Sequence, residues 1–208
     1  PIKKYNTESA LNNFCEYSMI DPAFLAACYG FTEDEVKMLA ERYNASMDNL
    51  KMWYDGYNIG REKSIYNPYS VMKAIQRGSC RSYWTTTGAY DSVITYIQMN
   101  FDGLKDDIIR MLAGERVYVN TSKFQNDMNI VRSKNDVLTV LIHLGYLAYD
   151  DEKQQCYVPN KEVTDELLNA VEDTSWKRLA DAITASRNLL DATIAGNENA
   201  VAQAIDIA

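Results

Sequence analysis

One histidine and four cysteines in 208 residues leave little material for metal or thiol chemistry. Cys15, Cys28, Cys80 and Cys156 are scattered, with no CxxC and no histidine cluster beside them, so no zinc site is expected. They read as reduced, intracellular thiols, which points to a cytoplasmic chain. His143 lies inside an apolar helical run beside Leu141 and Leu144. No Ser, Cys or carboxylate stands at a motif spacing from it, so a structural role outweighs one as general base or phosphate sensor. There is no apolar run of about 18 residues, and the opening PIKKYNTES lacks a signal-peptide core, so the sequence offers nothing to span a membrane. Also missing is GxxxxGK[ST], the loop whose backbone amides and lysine cradle phosphates, so these residues alone are not expected to grip ATP or any other cofactor. Basic charge is scarce too: 21 Lys and Arg against 29 Asp and Glu give a formal charge of -8, which opposes attraction to nucleic-acid backbones and anionic membranes. The sequence has no initiator methionine. It starts on Pro1 and stops at Ala208 inside the periodic run NAVAQAIDIA, as a piece of a longer protein would.

What is present is ordinary globular composition, 47% hydrophobic and 11% aromatic, enough for a sizeable core. Residues 1–30 carry short apolar runs at Leu11 to Tyr17 and Phe24 to Tyr29, broken at Asp21-Pro22, and read as a connector. Thr32 with Glu35 three residues on is a capping-box pattern. Val36, Leu39, Ala40 and Tyr43 then recur at helical spacing, so a helix over about 33–43 is expected. Ser46 can cap a second helix carrying Met47, Leu50, Trp53 and Tyr54 and ending at Gly56. The stretch WYDGYNIGREKSIYNPYS, Trp53 to Ser70, packs four tyrosines and a tryptophan around two glycines. It reads as a helix end, a loop from Gly56, and a new helix started by Asn67-Pro68, since asparagine is a good N-cap and proline suits the first helical position. The rings of Trp53, Tyr54, Tyr57, Tyr66 and Tyr69 can serve as core and interface aromatics, or the loop can lie over a ligand.

Further apolar stripes follow at Val71, Met72 and Ile75, at Tyr90, Val93, Ile94 and Ile97, and at Leu104, Ile108 and Leu112. Residues 32–114 thus read as a helical bundle. Arg116 to Asn120 alternates like a strand, and a loop runs through Asn129. A helix from Ser133 to Leu144 is expected to bury Val137, Val140, Leu141 and Leu144 and to turn Lys134, Asn135 and Thr139 outward. Two short strands, Tyr146 to Tyr149 and Cys156 to Val158, flank a polar turn. Asn160 then caps a helix with Val163, Leu167 and Val171, whose pattern continues through Trp176, Leu179 and Ile183 toward Leu190, before a break at Ala195-Gly196-Asn197. Strand, helix, hairpin and helix are the parts of a winged-helix module. The fold class expected is mainly α: a helical bundle followed by a winged-helix-like α+β domain with a small β-hairpin. Asp106-Asp107, Asp150-Asp151 and Glu172-Asp173 lie in polar runs and read as solvated faces, because neighbouring acidic residues point apart. With DDEKQQ as its wing, the 133–144 helix makes a poor DNA reader.

The ordered set WYDGYNIG, SIYNPYSV and YWTTTG, preceded by ALNNFCEYSMIDPAFLAACYGFTEDEV and followed by LIHLGYLAYD and VPNKEV, resembles the bacterial AAA-ATPase-like family. Members of that family join an N-terminal P-loop ATPase core to a C-terminal PD-(D/E)xK nuclease-like domain. The resemblance implies that residues 1–30 are the tail of the ATPase core, 31–115 the helical lid, 116–175 the winged-helix-like domain, and 176–208 a helical linker to the downstream domain. Both chemical centres would then lie outside this chain, with ATP and Mg bound by the full-length parent. The same resemblance likens the loop ending at Asn67-Pro68 to the lid segment that closes over the adenine base in related signal-transduction ATPases. It implies Gly56, Tyr57, Asn67 and Pro68 as the nucleotide-proximal residues, and does not choose a phosphate sensor among Arg61, Arg77 and Arg81. The partners expected are the protein's own ATPase core and downstream domain, and besides them a protein partner or a homo-oligomer. Two rival functions remain at this point, a winged-helix DNA-binding module and a protein-interaction scaffold.

Overall fold

The structure, a computed structural model, describes residues 17–84, 97, 103–122, 131, 133–170 and 174–207. The helix expected near Ala89, the apolar run from Leu11, the loop through Asn129, Val171 and the pair Glu172-Asp173 lie outside the described residues, as do the side chains of Trp176 and Leu179. Among the described residues the chain is mostly helical, with two small antiparallel sheets.

A short 3-10 helix, Ala23–Tyr29, leads into helix α1, Glu33–Tyr43. The capping box forms in full: the Thr32 hydroxyl accepts from the Glu35 N–H, and the Glu35 carboxylate accepts from the Thr32 N–H at 2.8 Å. Asn44 ends the helix in the left-handed conformation, as asparagine tolerates. Helix α2, Met47–Tyr54, is capped by Ser46, and helix α3, Pro68–Arg77, by Asn67, whose Oδ1 accepts from the Tyr69 and Ser70 N–H groups at 3.0 and 3.4 Å. Gly78 closes α3 at φ +63. Val36, Ala40, Leu50, Tyr54, Tyr66, Val71, Ala74 and Tyr83 form the core shared by these three helices.

Between α2 and α3, where a loop is expected, the chain makes a hairpin. Strand β1, Tyr57–Ile59, pairs antiparallel with β2, Glu62–Ile65, across a two-residue turn at Gly60-Arg61. Tyr57, Ile59 and Ile65 point inward, with Ala26 and Ala148, into a small core between the 3-10 helix and the second half of the chain. The reason is local and tertiary at once. Gly60, at φ +57, turns the chain, while period-two burial of Tyr57 and Ile59 needs the opposing surface that Ala148 supplies.

Helix α4, Leu104–Leu112, shares its core with the chain that follows it. Strand β3, Val117–Tyr118, then helix α5, Lys134–His143, strands β4, Ala148–Asp150, and β5, Gln155–Tyr157, and helix α6, Lys161–Ala170, complete this unit. The three-stranded sheet runs β3-β5-β4, all antiparallel. Leu104, Ile108, Leu138, Leu141, Ile142, Leu147, Val163 and Leu167 are all essentially inaccessible here, and each such aliphatic side chain contributes about 2 kcal/mol through burial.

Helix α5 departs from expectation. Residues Val137 through Ile142 are all buried, including Thr139, whose hydroxyl donates to the Asn135 carbonyl at 2.7 Å. Asn135 accepts from the Asn120 N–H, and Lys134 pairs with Asp107 at 2.6 Å. The polar residues expected to face outward are thus engaged within the protein. The helix is enclosed by α4, the sheet and α6, and a helix covered on several sides loses the one-faced pattern.

Helices α7, Thr174–Ile194, and α8, Glu198–Ile207, form a hairpin broken at Gly196. Arg187 ties α7 to the end of α4, donating to the Ala113 carbonyl and to Glu115, both at 2.8 Å. No helix among the described residues is long and apolar enough to cross a membrane.

Candidate functional site

Three of the four candidate residues, Tyr57, Asn67 and Pro68, line one pocket of about 180 Å³, walled by the rings of Tyr29, Tyr57, Tyr66 and Trp84 and closed by Met19, Ile59 and Ile65. Tyr57 reaches it from β1, the Asn-Pro pair from the start of α3, and Trp84 from the segment after α3. No lysine or arginine contributes to the lining. Arg61 sits at the hairpin turn and Arg77 in the last turn of α3, while the Arg81 guanidinium lies 5.3 Å over the Tyr83 ring.

Gly56 does not line this pocket. Its φ is +113, and a Cβ placed on it would stand 2.0 Å from the Pro159 carbonyl oxygen. Its own carbonyl accepts from the Tyr157 hydroxyl at 3.0 Å. The residue is needed where two stretches of main chain meet.

Tyr57 is buried, and its hydroxyl donates to the Gly145 carbonyl at 2.7 Å. Burial raises its pKa far above the ordinary phenol value, so it remains a neutral donor. Gly145 in turn lies under Trp84, which stacks on Tyr146 with ring centroids 4.9 Å apart and planes 1° from parallel. Tyr57→Phe should cost about 1.5 kcal/mol in urea unfolding, because it strands a buried carbonyl while keeping the ring. A loss below a few tenths would show that the Gly145 contact is not made.

Sequence reasoning missed the carboxylates behind this pocket. Glu162 and Glu166, on the inner face of α6, are each 1% exposed. One Glu162 oxygen accepts from the Ser70 hydroxyl at 2.9 Å and the Tyr83 N–H at 2.8 Å, and Glu166 accepts from the Ser82 hydroxyl. Among the described residues the second oxygen of each finds no hydrogen-bond partner. Neither forms an ion pair among the described residues, and burial pushes both carboxyls up, Glu162 to about 7. Asp55, at the end of α2, is likewise raised by burial. Its carbonyl accepts from the Asn160 side-chain amide at 2.8 Å. The signal for this joint was the placement of Glu162 and Glu166 immediately before Val163 and Leu167, at the edge of the apolar stripe. Their spacing of four residues puts both on one helix face.

The remaining titratable candidates do not line this pocket. His143 is half-buried, and desolvation lowers its pKa, which favours the neutral ring. Asp107 pairs with Lys134 and Arg110, and Asp150 with Arg116 at 2.8 Å. Among the described residues no three His, Cys, Asp or Glu side chains converge as metal ligands. The arrangement is a small recess of aromatic and apolar side chains that can enclose a flat ring. Among the described residues that line it there is no histidine, cysteine, serine or carboxylate.

Among curated proteins, an "Uncharacterized protein in vnfD 5'region" of Azotobacter chroococcum mcd 1 is similar to this chain, 34% identical over 89 residues. The match covers 42% of this chain and only 17% of that protein's length. No protein-family model matches the chain, and no solved structure matches it.

Proposed function

We propose that this chain is the lid and winged-helix portion of a bacterial P-loop ATPase, non-catalytic by itself, that couples nucleotide state to a downstream nuclease-like domain. The observation that carries the reading is the aromatic pocket, where Tyr57, Asn67 and Pro68 stand together beneath Trp84. At about 180 Å³ it is smaller than the roughly 300–1,000 Å³ of a site for a whole drug-sized ligand, and suits a flat ring. An adenine base would enter it, and the phosphates and Mg would be held by the ATPase core, consistent with a lining that has no cation. The run α4, β3, α5, β4, β5 and α6 with strand order β3-β5-β4 supports the winged-helix part of the reading.

Coupling follows from position. The pocket walls come from the hairpin, the start of α3 and the 79–84 segment, and Tyr57 and Trp84 both bear directly on Gly145 in the second core. A base that fills the pocket in one nucleotide state and leaves it in another would bias how the two cores pack. On α5 Thr139 is buried, and Lys134 and Asn135 are engaged by Asp107 and the Asn120 N–H, which weighs against the rival reading as a DNA-binding module.

The test uses the full-length protein and a fluorescent ADP analogue. Tyr29→Ala and Trp84→Leu should each weaken affinity about tenfold, the usual scale for losing a ring that stacks on a base, with little change in unfolding midpoint for Tyr29→Ala. Unchanged affinity in both variants would remove the nucleotide contact from the proposal.

A further inference from the structure

A second recess lies away from the aromatic pocket, between the start of the 3-10 helix, the β1–β2 turn and the β4–β5 turn. It encloses about 670 Å³. Its apolar surface comes from Met19, Ile20, Pro22, Phe24, Ala26 and Tyr149. Phe24 is 80% exposed, and its ring meets the edge of the Tyr17 ring with centroids 5.6 Å apart. Ala23, just before it, is held at φ +47, a left-handed conformation that alanine does not favour. The Phe24 ring is thus presented to solvent from a strained turn at the groove mouth. Across the floor, the hairpin turn is closed against Pro22, whose Cγ would lie 2.9 Å from a Cβ on Gly60.

The charge around this recess is one-sided. Asp21, Glu62, Asp150, Asp151 and Glu152 line it, against Arg61 and Lys63. Asp150 is already engaged by Arg116, while Asp21, Asp151 and Glu152 are exposed. An exposed large apolar side chain beside an excess of carboxylates among the described lining residues fits one chemistry: a ligand that brings an apolar anchor flanked by cations.

We propose that this groove docks a segment of a partner protein in which a large apolar side chain packs on Phe24 while flanking Lys or Arg residues face Asp21, Asp151 and Glu152. The inference is independent of the nucleotide reading, since no residue of the groove except Met19 belongs to the aromatic pocket.

The full chain can be titrated against a fluorescein-labelled peptide alternating Lys or Arg with Leu or Phe, followed by anisotropy. A matching peptide with Glu in place of the basic residues serves as control. The basic peptide should bind saturably, and the control should not. Phe24→Ser, and separately Asp151→Lys with Glu152→Lys, should each weaken binding about tenfold, as expected for an anchor and its paired charges. Asp48→Lys on the first turn of α2, outside the groove, should leave it unchanged. The proposal is overturned if no binding is seen, if Phe24→Ser has no effect, or if Asp48→Lys weakens binding as much as the groove changes, since net charge alone would then be responsible. It is overturned in favour of a second copy as occupant if sedimentation shows a dimer that Phe24→Ser dissociates.

Discussion

Gly56→Ala is expected to destabilise the protein by about 4 kcal/mol, more than any other single methyl addition considered. Two effects add. The residue sits at φ +113, where an L side chain crowds its own backbone. The added Cβ would also meet main chain, with the Pro159 carbonyl oxygen at 2.0 Å and its carbonyl carbon at 2.7 Å, so no side-chain rotation can relieve the clash. Either the hairpin or the start of α6 must move, and with it go the Tyr157 hydroxyl bond to Gly56 and the Asn160 amide bond to Asp55. Gly78→Ala is the matched control. It too has positive φ, +63, but no atom lies within 4 Å of its added Cβ, so it carries backbone strain alone, about 1 kcal/mol. Urea unfolding of both variants isolates the close approach as the difference between them. Equal losses would mean that the Gly56–Pro159 contact does not exist in solution.

That pair of glycines also shows why some of this fold was legible in the sequence and some was not. Helix starts were readable because a cap involves atoms only a few residues apart: Thr32 with Glu35, Ser46 with Asn49 and Asn67 with Ser70 all form as their spacing predicts. Gly78 could be read as a helix end from its position alone. Gly56 could not be understood that way, since what makes it indispensable is Pro159, more than a hundred residues on by sequence number. Reading the stretch after Gly56 as a loop also hid the β1–β2 hairpin, although the inward alternation of Tyr57 and Ile59 was there to be seen. The aromatic cluster was visible as composition, but its division into bundle core for Tyr54, pocket wall for Tyr57 and Tyr66, and solvent-facing ring for Tyr69 depends on which surface each ring meets. Buried acids are hardest of all to foresee, because a glutamate at the edge of an apolar stripe is normally solvated. Only the return of residues 79–84 over α6, fixed by the Tyr54 hydroxyl donating to the Arg81 carbonyl at 2.9 Å, encloses Glu162 and Glu166.

That enclosure gives the second large effect: Glu162→Gln should stabilise the protein at pH 7.5 by about 2 kcal/mol and flatten its stability between pH 4.5 and 7. The Glu162 carboxyl receives two hydrogen bonds and lies near the N-terminal turns of α3 and α6, all of which favour the ionised form. Burial opposes them and wins, raising the group from 4.5 to about 7, with Glu166 close by adding in the same direction. An acid raised on folding keeps its proton in the folded chain while the unfolded chain has lost it. Below pH 4.5 both states are protonated and the shift costs nothing. As pH climbs from 4.5 to about 7 the unfolded state is progressively favoured, and above 7 the loss levels off at about 3 kcal/mol. Glutamine keeps the accepting oxygen for Ser70 and Tyr83 and carries no charge, but its amide hydrogens gain no evident acceptor, which offsets about 1 kcal/mol of the benefit. Glu166→Gln should act in the same direction, since burial raises that carboxyl as well. Urea unfolding of wild type and both variants at pH 4.5, 6 and 7.5 tests this directly, because the carboxylates outside the Glu162–Glu166 pair contribute equally to each and drop out of the differences. If Glu162→Gln is no more stable than wild type at pH 7.5 and keeps the same pH slope, Glu162 is ionised in the folded protein, and the 79–84 segment must be held over α6 by a charged contact rather than by a neutral, proton-bearing one.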